Sequence, residues 1–556
     1  MRWTALVVLG ALALPLYGRI EQVAGNFASQ PGVLFWPLLG VTALSVAACW
    51  MVFVSRPAGS QAGRWLELAL LLALGLAARA VFFGAPPTLS HDSYRYVWDA
   101  HLLTHGLSPY TNTPFSPSVQ PFQDKAIWPN VRFRNSPTIY PPGAELSFLL
   151  IYWIKPLSMG ALKSGLEIAD GLVAVLTMLL LRRHKLDTRR VILYWWSPIP
   201  VIEFAFSAHL DVEAIVWTLA ALLVAGCRWR GARLTAGILL GMGTLTKFYP
   251  ALFSVVMVRK RRDWVVLAGL VGTMALGYAA FWKYQAQSGG FLSTYIGQST
   301  FDRGLLLRYI NTAVTLVGGN QTLVIALQLL ALAGLCLLVG WYCWGKGLRM
   351  EAGVLAINVV WILVATHIFT WYIAVLLPLL ALYLRLGPGT LAVETAPKGV
   401  PPPPLAAGGR PSPPSRTRTK AGERADQKVE QAVYPTDLSG RYATPALGIW
   451  FFALAMPFTY VYFASGAFHS DYFKYSFYLS FAIAALPLLT RQGRAALRLF
   501  LRFSAKPAIS LADPIREEYP HAIDSTEPSA GQPTWQWRPN EQRDRSAATR
   551  AVSGDD

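Results

Sequence analysis

A chain of 556 residues, 54% of them hydrophobic and only 14% charged, does not have the composition of a soluble domain, which normally carries about 25% charged residues. Its net charge of +19 would suggest nucleic-acid binding in a soluble protein, but the basic residues stand in short loops beside apolar runs and there indicate membrane topology. The four cysteines have neither metal-ligand nor redox spacing, so we expect buried, unpaired thiols.

Apolar runs long enough to cross a bilayer start at the N terminus. The first has the basic start of a signal peptide, but no clear small-residue cleavage site follows, so we interpret it as an uncleaved helix. Apolar length predicts spans at residues 3–18, 33–54, 65–83, 165–182, 190–208, 211–227, 263–283, 321–343, 351–367, 369–384, 444–465 and 472–490.

Two further apolar segments, 143–160 and 234–258, are ambiguous, and the basic loops decide how they lie. If every basic cluster is cytoplasmic, residues 143–183 cross once, with 143–160 juxtamembrane or partly inserted. Residues 234–258 must then enter and return as two short helices that meet near Lys247 and Pro250. Both termini are cytoplasmic in this topology, and the polar loops face the other side.

These spans predict an all-α, polytopic membrane bundle of about 12–14 helices, with a long first extracytoplasmic loop that carries juxtamembrane helices. We expect two additional transmembrane helices in residues 1–64 and a membrane core in 65–385. A disordered cytoplasmic linker, 386–440, then precedes a C-terminal transmembrane hairpin, 441–505, and a disordered cytoplasmic tail, 506–556.

The strongest group of reactive side chains follows the third span, in "SHDSYRYVWDAHLL". At helical spacing Asp92, Tyr96 and Asp99 share one face, and Arg95 and Asp99 are also neighbours. An amphipathic helix with an ordinary Arg95–Asp99 ion pair is the simpler interpretation. However, carboxylates at a membrane boundary among aromatic side chains have reason to shift their pKa and act as bases.

The segment "HDSYRYVWDAHLLTHGLSPY", with the later "IYPPGAELSFLL", "WWSPIPVIEFAFSAHLD" and "GMGTLTKFYP", resembles the polyprenyl-phosphate-dependent glycosyltransferases of the GT-C class. More narrowly, it is similar to bacterial mannosyltransferase-like membrane proteins, over about residues 65–385. The resemblance implies a GT-C-like catalytic core that moves a sugar, with mannose favoured, from a polyprenyl-phosphate donor to a hydroxyl of an extracytoplasmic glycan or glycolipid, with inversion.

The resemblance makes Asp92 the catalytic base. Polyprenyl phosphate leaves as an anion and needs a cation more than an acid. The candidates are Arg95, Lys247, Arg303 and Arg308. Each of the last three has a structural alternative, since Lys247 can extend to an interface, Arg303 can pair with its neighbour Asp302, and Arg308 can anchor a helix end.

Further polar residues fall on the same predicted face. Glu203, His209 and Asp211 can bind the acceptor sugar or support Asp92, although Asp211 can simply cap its helix. His367 resembles a late His-aromatic element of the family, but aromatic belts are common at interfaces. The predicted substrate-binding residues are Arg95, Tyr96, Asp99, Tyr110, His209, Asp211, Lys247, Arg303 and His367.

No cofactor beyond the lipid-linked donor is predicted, and a divalent metal is possible but not favoured. His101 and His105 have i, i+4 spacing near Asp99, but the HExxH pattern of helical zinc sites is missing. The expected partners are membrane lipids, the polyprenyl-phosphate-linked sugar and a glycan or glycolipid acceptor, without nucleic acid. The expected location is the inner (plasma) membrane, with the active site on its extracytoplasmic face.

Two other function classes remain open at this point. A transporter or flippase of a lipid-linked or amphiphilic substrate predicts paired broken helices in two related halves, whereas the sequence indicates one break, near Lys247. A scaffolding subunit is the third, and in it Asp92 would be dispensable.

Overall fold

The computed structural model of the chain describes residues 2–26, 30–292, 295, 304–386 and 443–460. This part of the chain is helical and contains no β-strand, so the all-α prediction is confirmed. The predicted linker after Leu386, the tail, the last span and Arg303 lie outside the described residues.

The first half of the chain contains the N-terminal helices, the long loop and the start of the core. Its α-helices are α1 Arg2–Ala24, α2 Phe35–Val54, α3 Gln61–Ala80, α4 Asp92–Thr104, α5 Pro142–Ile154, α6 Met159–Arg183, α7 Ile192–Trp195, α8 Pro198–Pro200, α9 Asp211–Ala225, α10 Ala232–Thr246, α11 Ser254–Met257 and α12 Trp264–Ala280. Those of the second half are α13 Leu305–Leu316, α14 Gln321–Gly345, α15 Met350–Val364, α16 Thr370–Ile373, α17 Leu376–Tyr383 and α18 Ala443–Ala455.

Six of the described helices are long and apolar enough to cross a bilayer. They are Trp3–Ala24, Gly32–Val54, Gln61–Ala80, Met159–Arg183, Arg261–Ala280 and Gln321–Gly345. Shorter apolar helices accompany them, at Pro142–Ile154, Leu305–Leu316, Met350–Val364, Thr370–Tyr383 and Ala446–Phe458. The polytopic membrane architecture is therefore confirmed.

The segment predicted as one span at residues 190–208 is broken instead. Helix α7 ends at Trp195, Ser197 adopts extended backbone angles and caps α8, and a π-helical turn follows at Val201–Phe206. Two prolines cause the break, because Pro198 and Pro200 lack the backbone N–H that a continuous helix needs. Such π-helical turns are frequent at functional sites.

The break predicted near Lys247 is present. Helix α10 ends at Thr246, and Lys247 follows with φ −144° and ψ 139°, which are extended values. A 3-10 turn at Tyr249–Phe253 then leads into α11. Lys247 is thereby placed at the tip of the α10–α11 hairpin, three residues before Pro250, which prevents a continuous helix.

Glycines bring α10 and α12 into close contact. A Cβ added at Gly237 of α10 would lie 2.1 Å from the carbonyl oxygen of Val266, and one at Gly269 of α12 would lie 2.5 Å from that of Leu234. Small residues at helix interfaces allow backbones to approach in this way inside a bilayer. The contact fixes α10, and with it the position of Lys247.

Buried charges attach the N-terminal helices to the core. The Nε atom of Arg79 on α3 lies 2.5 Å from Oδ2 of Asp170 on α6, and its guanidinium stacks 3.6 Å from the Trp195 ring. Lys163, which also lies on α6, donates from Nζ to the carbonyl oxygens of Phe82 and Ala85 at 2.6 and 2.7 Å. These bonds satisfy carbonyls in the turns that follow α3 and fix the start of the loop that leads to Asp92.

Candidate functional site

Asp92 is the first residue of α4, and its backbone N–H bonds Oγ of Ser90 at 3.3 Å. Its side chain is 28% exposed, which leaves the carboxylate accessible from one side. The unpaired N–H groups at the N-terminal end of a helix carry partial positive charge, which attracts a carboxylate at this position. Oδ2 of Asp92 lies 4.0 Å from Nε2 of His209. The two residues therefore form the start of one polar site.

His209 is held in place by a sharply bent turn. Ala208 has φ +57°, the left-handed region that costs an L-residue with a Cβ about 1–2 kcal/mol, and it is fully buried. This bend lets the backbone N–H of His209 bond the carbonyl oxygen of Glu203 at 2.9 Å. The imidazole stacks on Trp371 with ring centroids 3.8 Å apart. Strained backbone of this kind is typical of functional sites.

Both imidazole nitrogens of His209 have polar partners. Nε2 lies 3.1 Å from Oγ of Ser90, while Nδ1 lies 3.1 Å from Oε2 and 3.2 Å from the backbone oxygen of Glu203. The hydroxyl of Tyr460 donates to the same Oε2 at 3.0 Å. Glu203 is fully buried, so the bonds to these partners offset most of the free-energy cost of burying its carboxylate.

Lys247 and Asp211 form the second charged element of the site. Nζ of Lys247 lies 3.2 Å from Oδ2 of Asp211, but the geometry is not that of a hydrogen bond. Asp211 is almost fully buried, whereas Lys247 is 18% exposed. The ammonium group also lies 5.6 Å from the Tyr140 ring and 5.5 Å from the Tyr372 ring, within cation–π range.

Tyr96 lies between the two charged elements. It is buried against Phe148, with ring centroids 4.5 Å apart. Burial raises the pKa of Tyr96, and the carboxylates of Asp92 and Asp211 raise it further. Its hydroxyl is therefore a neutral hydrogen-bonding group that interacts electrostatically with both carboxylates.

A cavity of about 410 Å³ opens beside this group and has the size of a ligand site. Tyr110 lines it and donates from its hydroxyl to the carbonyl oxygen of Tyr140 at 2.9 Å. Phe248, the neighbour of Lys247, lines it as well. The remaining lining residues are Ile139, Tyr140, Pro141, Tyr278, Ala286, Gln287, Gly289 and Leu292.

Arg95 and Asp99 bond to each other and to the loop. Nε of Arg95 lies 2.6 Å from Oδ1 of Asp99, and NH1 donates to the carbonyl oxygen of Ser136 at 2.9 Å. Burial raises the pKa of Asp99, and the Arg95 guanidinium opposes this shift. The ordinary i, i+4 pair predicted from the spacing is thus formed, and Arg95 also holds the loop at Ser136.

The structure thus brings Asp92, Tyr96, His209, Asp211 and Lys247 together. His367 joins them through Tyr295, since its ring stacks on that of Tyr295 at 4.3 Å and Tyr295 hydrogen-bonds Tyr372.

Sequence reasoning missed Tyr460 as the partner of Glu203, and it noted Trp371 beside His367 without predicting that it stacks on His209. No local signal in the sequence points to Tyr460, because it lies 257 residues from Glu203.

Within the described part of the chain, no group of three or more His, Cys, Asp or Glu side chains is arranged to hold a metal ion. One of the histidines considered for such a site, His101, makes other contacts. Its Nδ1 lies 2.7 Å from the hydroxyl of Tyr152, and its Nε2 lies 3.0 Å from the carbonyl oxygen of Phe122. His101 therefore ties α4 to α5 and to the loop.

Comparison with known proteins gives one family. Residues 138–370 match the model of glycosyltransferase family 87, a GT-C-type family of membrane glycosyltransferases. No curated protein and no solved structure matches the chain. The matched region contains the turn with His209 and the hairpin with Lys247, whereas Asp92 and Tyr460 lie outside it. The resemblance to the GT-C class is confirmed over residues 138–370, and this region is similar to membrane glycosyltransferases of that type.

Proposed function

We propose that the chain transfers a sugar from a polyprenyl-phosphate donor to a hydroxyl of a glycan or glycolipid, with inversion at the anomeric carbon. The observation that carries this proposal is the pairing of an accessible carboxylate, Asp92, with a partly exposed cation, Lys247, around Tyr96. Mannose is the sugar we propose, and the extracytoplasmic face of the inner membrane is the proposed location.

Asp92 is the general base in this mechanism. Its carboxylate takes the proton of the acceptor hydroxyl as the oxygen attacks the anomeric carbon, and the bond from that carbon to the phosphate oxygen breaks. Polyprenyl phosphate leaves with the bonding electrons. The 28% exposure of Asp92 suits this role, because a base must reach a substrate that enters from outside.

Lys247 is the cation that stabilises the leaving phosphate. Its ammonium carries three donors, and the ion pair with Asp211 lacks hydrogen-bond geometry, so the group retains capacity to bind phosphate oxygens. Asp211 orients the ammonium group. A positive point charge at the tip of a helical hairpin is suited to stabilise polyprenyl phosphate, which leaves as an anion.

The cavity beside Lys247 is the proposed site for the first isoprene units of the donor. Phe248 follows Lys247 in the chain and lines the cavity, so a phosphate at Lys247 would lie at its rim. The lining is mainly aromatic and aliphatic, as an isoprenoid chain requires. The family match to glycosyltransferases favours sugar transfer over a transporter or flippase function.

The test uses membranes that contain the chain and a panel of radiolabelled polyprenyl-phosphate sugars. We expect transfer from one donor, and a fall in kcat of about 10²–10⁴-fold for Asp92→Asn, because this change removes the base but keeps the shape. Asp124→Asn is the matched control, since Asp124 lies in the same loop and accepts hydrogen bonds from the backbone N–H groups of Ala126 and Ile127. Near-normal turnover by Asp92→Asn would refute the assignment of the base.

A further inference from the structure

Four side chains form a continuous polar line from the site into the protein interior. Asp92 and Nε2 of His209 are 4.0 Å apart, Nδ1 of His209 and Oε2 of Glu203 are 3.1 Å apart, and the Tyr460 hydroxyl is 3.0 Å from that same Oε2. Asp92 is the partly exposed end, and His209, Glu203 and Tyr460 are buried. Only the first of these four is used by the mechanism above.

The neighbours of His209 assign its protons. Nδ1 faces two acceptors, the carboxylate and the backbone oxygen of Glu203, so it carries the hydrogen in the neutral ring. Nε2 then presents its lone pair to Ser90 and Asp92. Oε2 of Glu203 accepts from both His209 and Tyr460, which is the arrangement of an ionised carboxylate.

We propose that His209, Glu203 and Tyr460 are positioning residues that act through Asp92 and return it to its ionised form after each transfer. This inference rests on the proposed role of Asp92 as base.

The proton is accounted for at each step. It leaves the acceptor hydroxyl for the Asp92 carboxylate and then moves to Nε2 of His209, after Asp92 closes the gap by about 1 Å to hydrogen-bonding distance. Asp92 is again an anion, and the imidazolium lies between its charge and that of Glu203. The proton passes to water when the product departs.

The relay gives the C-terminal segment a part in the site. Tyr460 follows α18, beyond the predicted linker and outside the region of the family match. Thr459 is anchored beside it, with its Oγ1 3.2 Å from that of Thr370 on α16. The next residue of α16, Trp371, stacks on His209. The contact of Tyr460 with Glu203 and the contact of Trp371 with His209 thus both depend on how this segment packs.

The charged and titratable groups around the relay come from five elements. Asp92 faces His209 from α4, and Glu203 faces it from the π-helical turn, whereas Tyr460 faces Glu203 from the segment after α18. Asp211, at the start of α9, lies close enough to Glu203 for the two carboxylates to repel each other. Lys247 offsets that repulsion by pairing with Asp211. The charges of these groups therefore also affect the pH dependence of kcat.

The experiment measures kcat and donor KM against pH for the full-length chain in membranes. His209→Asn should lower kcat about 10²-fold with little change in KM, because proton removal from Asp92 slows while the donor site is intact. Glu203→Gln removes a charge that favours the imidazolium, so the acid limb of the kcat profile should move by about 1 pH unit to lower pH. Tyr460→Phe removes the hydrogen bond to the Glu203 carboxylate. The negative charge of Glu203 then favours the imidazolium more strongly, so the acid limb should move to higher pH.

Two matched controls separate the relay from a general loss of packing. Tyr194→Phe removes the hydroxyl that bonds Oδ1 of Asp170, another buried tyrosine–carboxylate bond, and His101→Asn removes another buried histidine. Neither should move the acid limb. Unchanged pH profiles in Glu203→Gln and Tyr460→Phe, with Asp92→Asn inactive, would overturn the relay and leave the proposed function standing. An active Asp92→Asn would instead overturn the proposed function.

Discussion

Replacing Lys247 separates its part in the fold from its part in the chemistry. Lys247→Met keeps the length of the side chain but leaves Asp211, 2% exposed, without its ion partner. At 3.2 Å and an effective dielectric constant of about 20, the attraction between the two charges is about 5 kcal/mol. Removing one partner of a buried pair costs about 3–5 kcal/mol, so this variant should unfold markedly earlier than the parent.

Asp211→Asn should cost less, because the ammonium of Lys247 is 18% exposed and can turn to solvent. The double variant, Lys247→Met with Asp211→Asn, contains neither charge and should recover most of the lost stability. Its transfer activity should not recover. We expect kcat/KM to fall about 10²-fold, since a charge-assisted hydrogen bond to the phosphate is worth about 1.5–3 kcal/mol.

The assay combines thermal unfolding of the detergent-solubilised variants with transfer rates measured against donor concentration. If the double variant regains stability and also turns over normally, Lys247 is a structural cation and does not bind the leaving phosphate. If Lys247→Met unfolds at the same temperature as the parent, the ion pair does not stabilise the fold, and the reasoning from burial fails.

Two further predictions concern topology and packing. Ser118→Cys, exposed in the long loop, should react with an impermeant thiol reagent from outside when the native cysteines are replaced, and labelling only after lysis would reverse the topology. Gly237→Ala should destabilise the chain by about 1–3 kcal/mol, because the added Cβ would meet the carbonyl of Val266 at 2.1 Å. Gly272→Ala on α12 has nothing within 4 Å and should be nearly neutral in the same thermal scan; equal effects would show that the α10–α12 contact does not limit stability.

Much of the local structure could be predicted from the sequence. Apolar length predicts most of the long helices, and Pro250 beside Lys247 predicts the break in the α10–α11 hairpin. The i, i+4 spacing of Arg95 and Asp99 predicts their ion pair. The continuous span predicted at residues 190–208 is wrong, because apolar composition outweighed the proline signal in that prediction.

Sequence by itself determined the membrane setting, the helical class and the segments that carry Asp92 and Lys247, because these follow from composition, apolar length and helix-breaking residues. Only the tertiary structure decided which side chains meet. Ser90 and His209 are 119 residues apart, and Glu203 and Tyr460 are 257 residues apart. Periodicity fixes the face of a helix on which a residue lies, but its partner depends on how distant helices pack, and the relay behind Asp92 exists only after that packing.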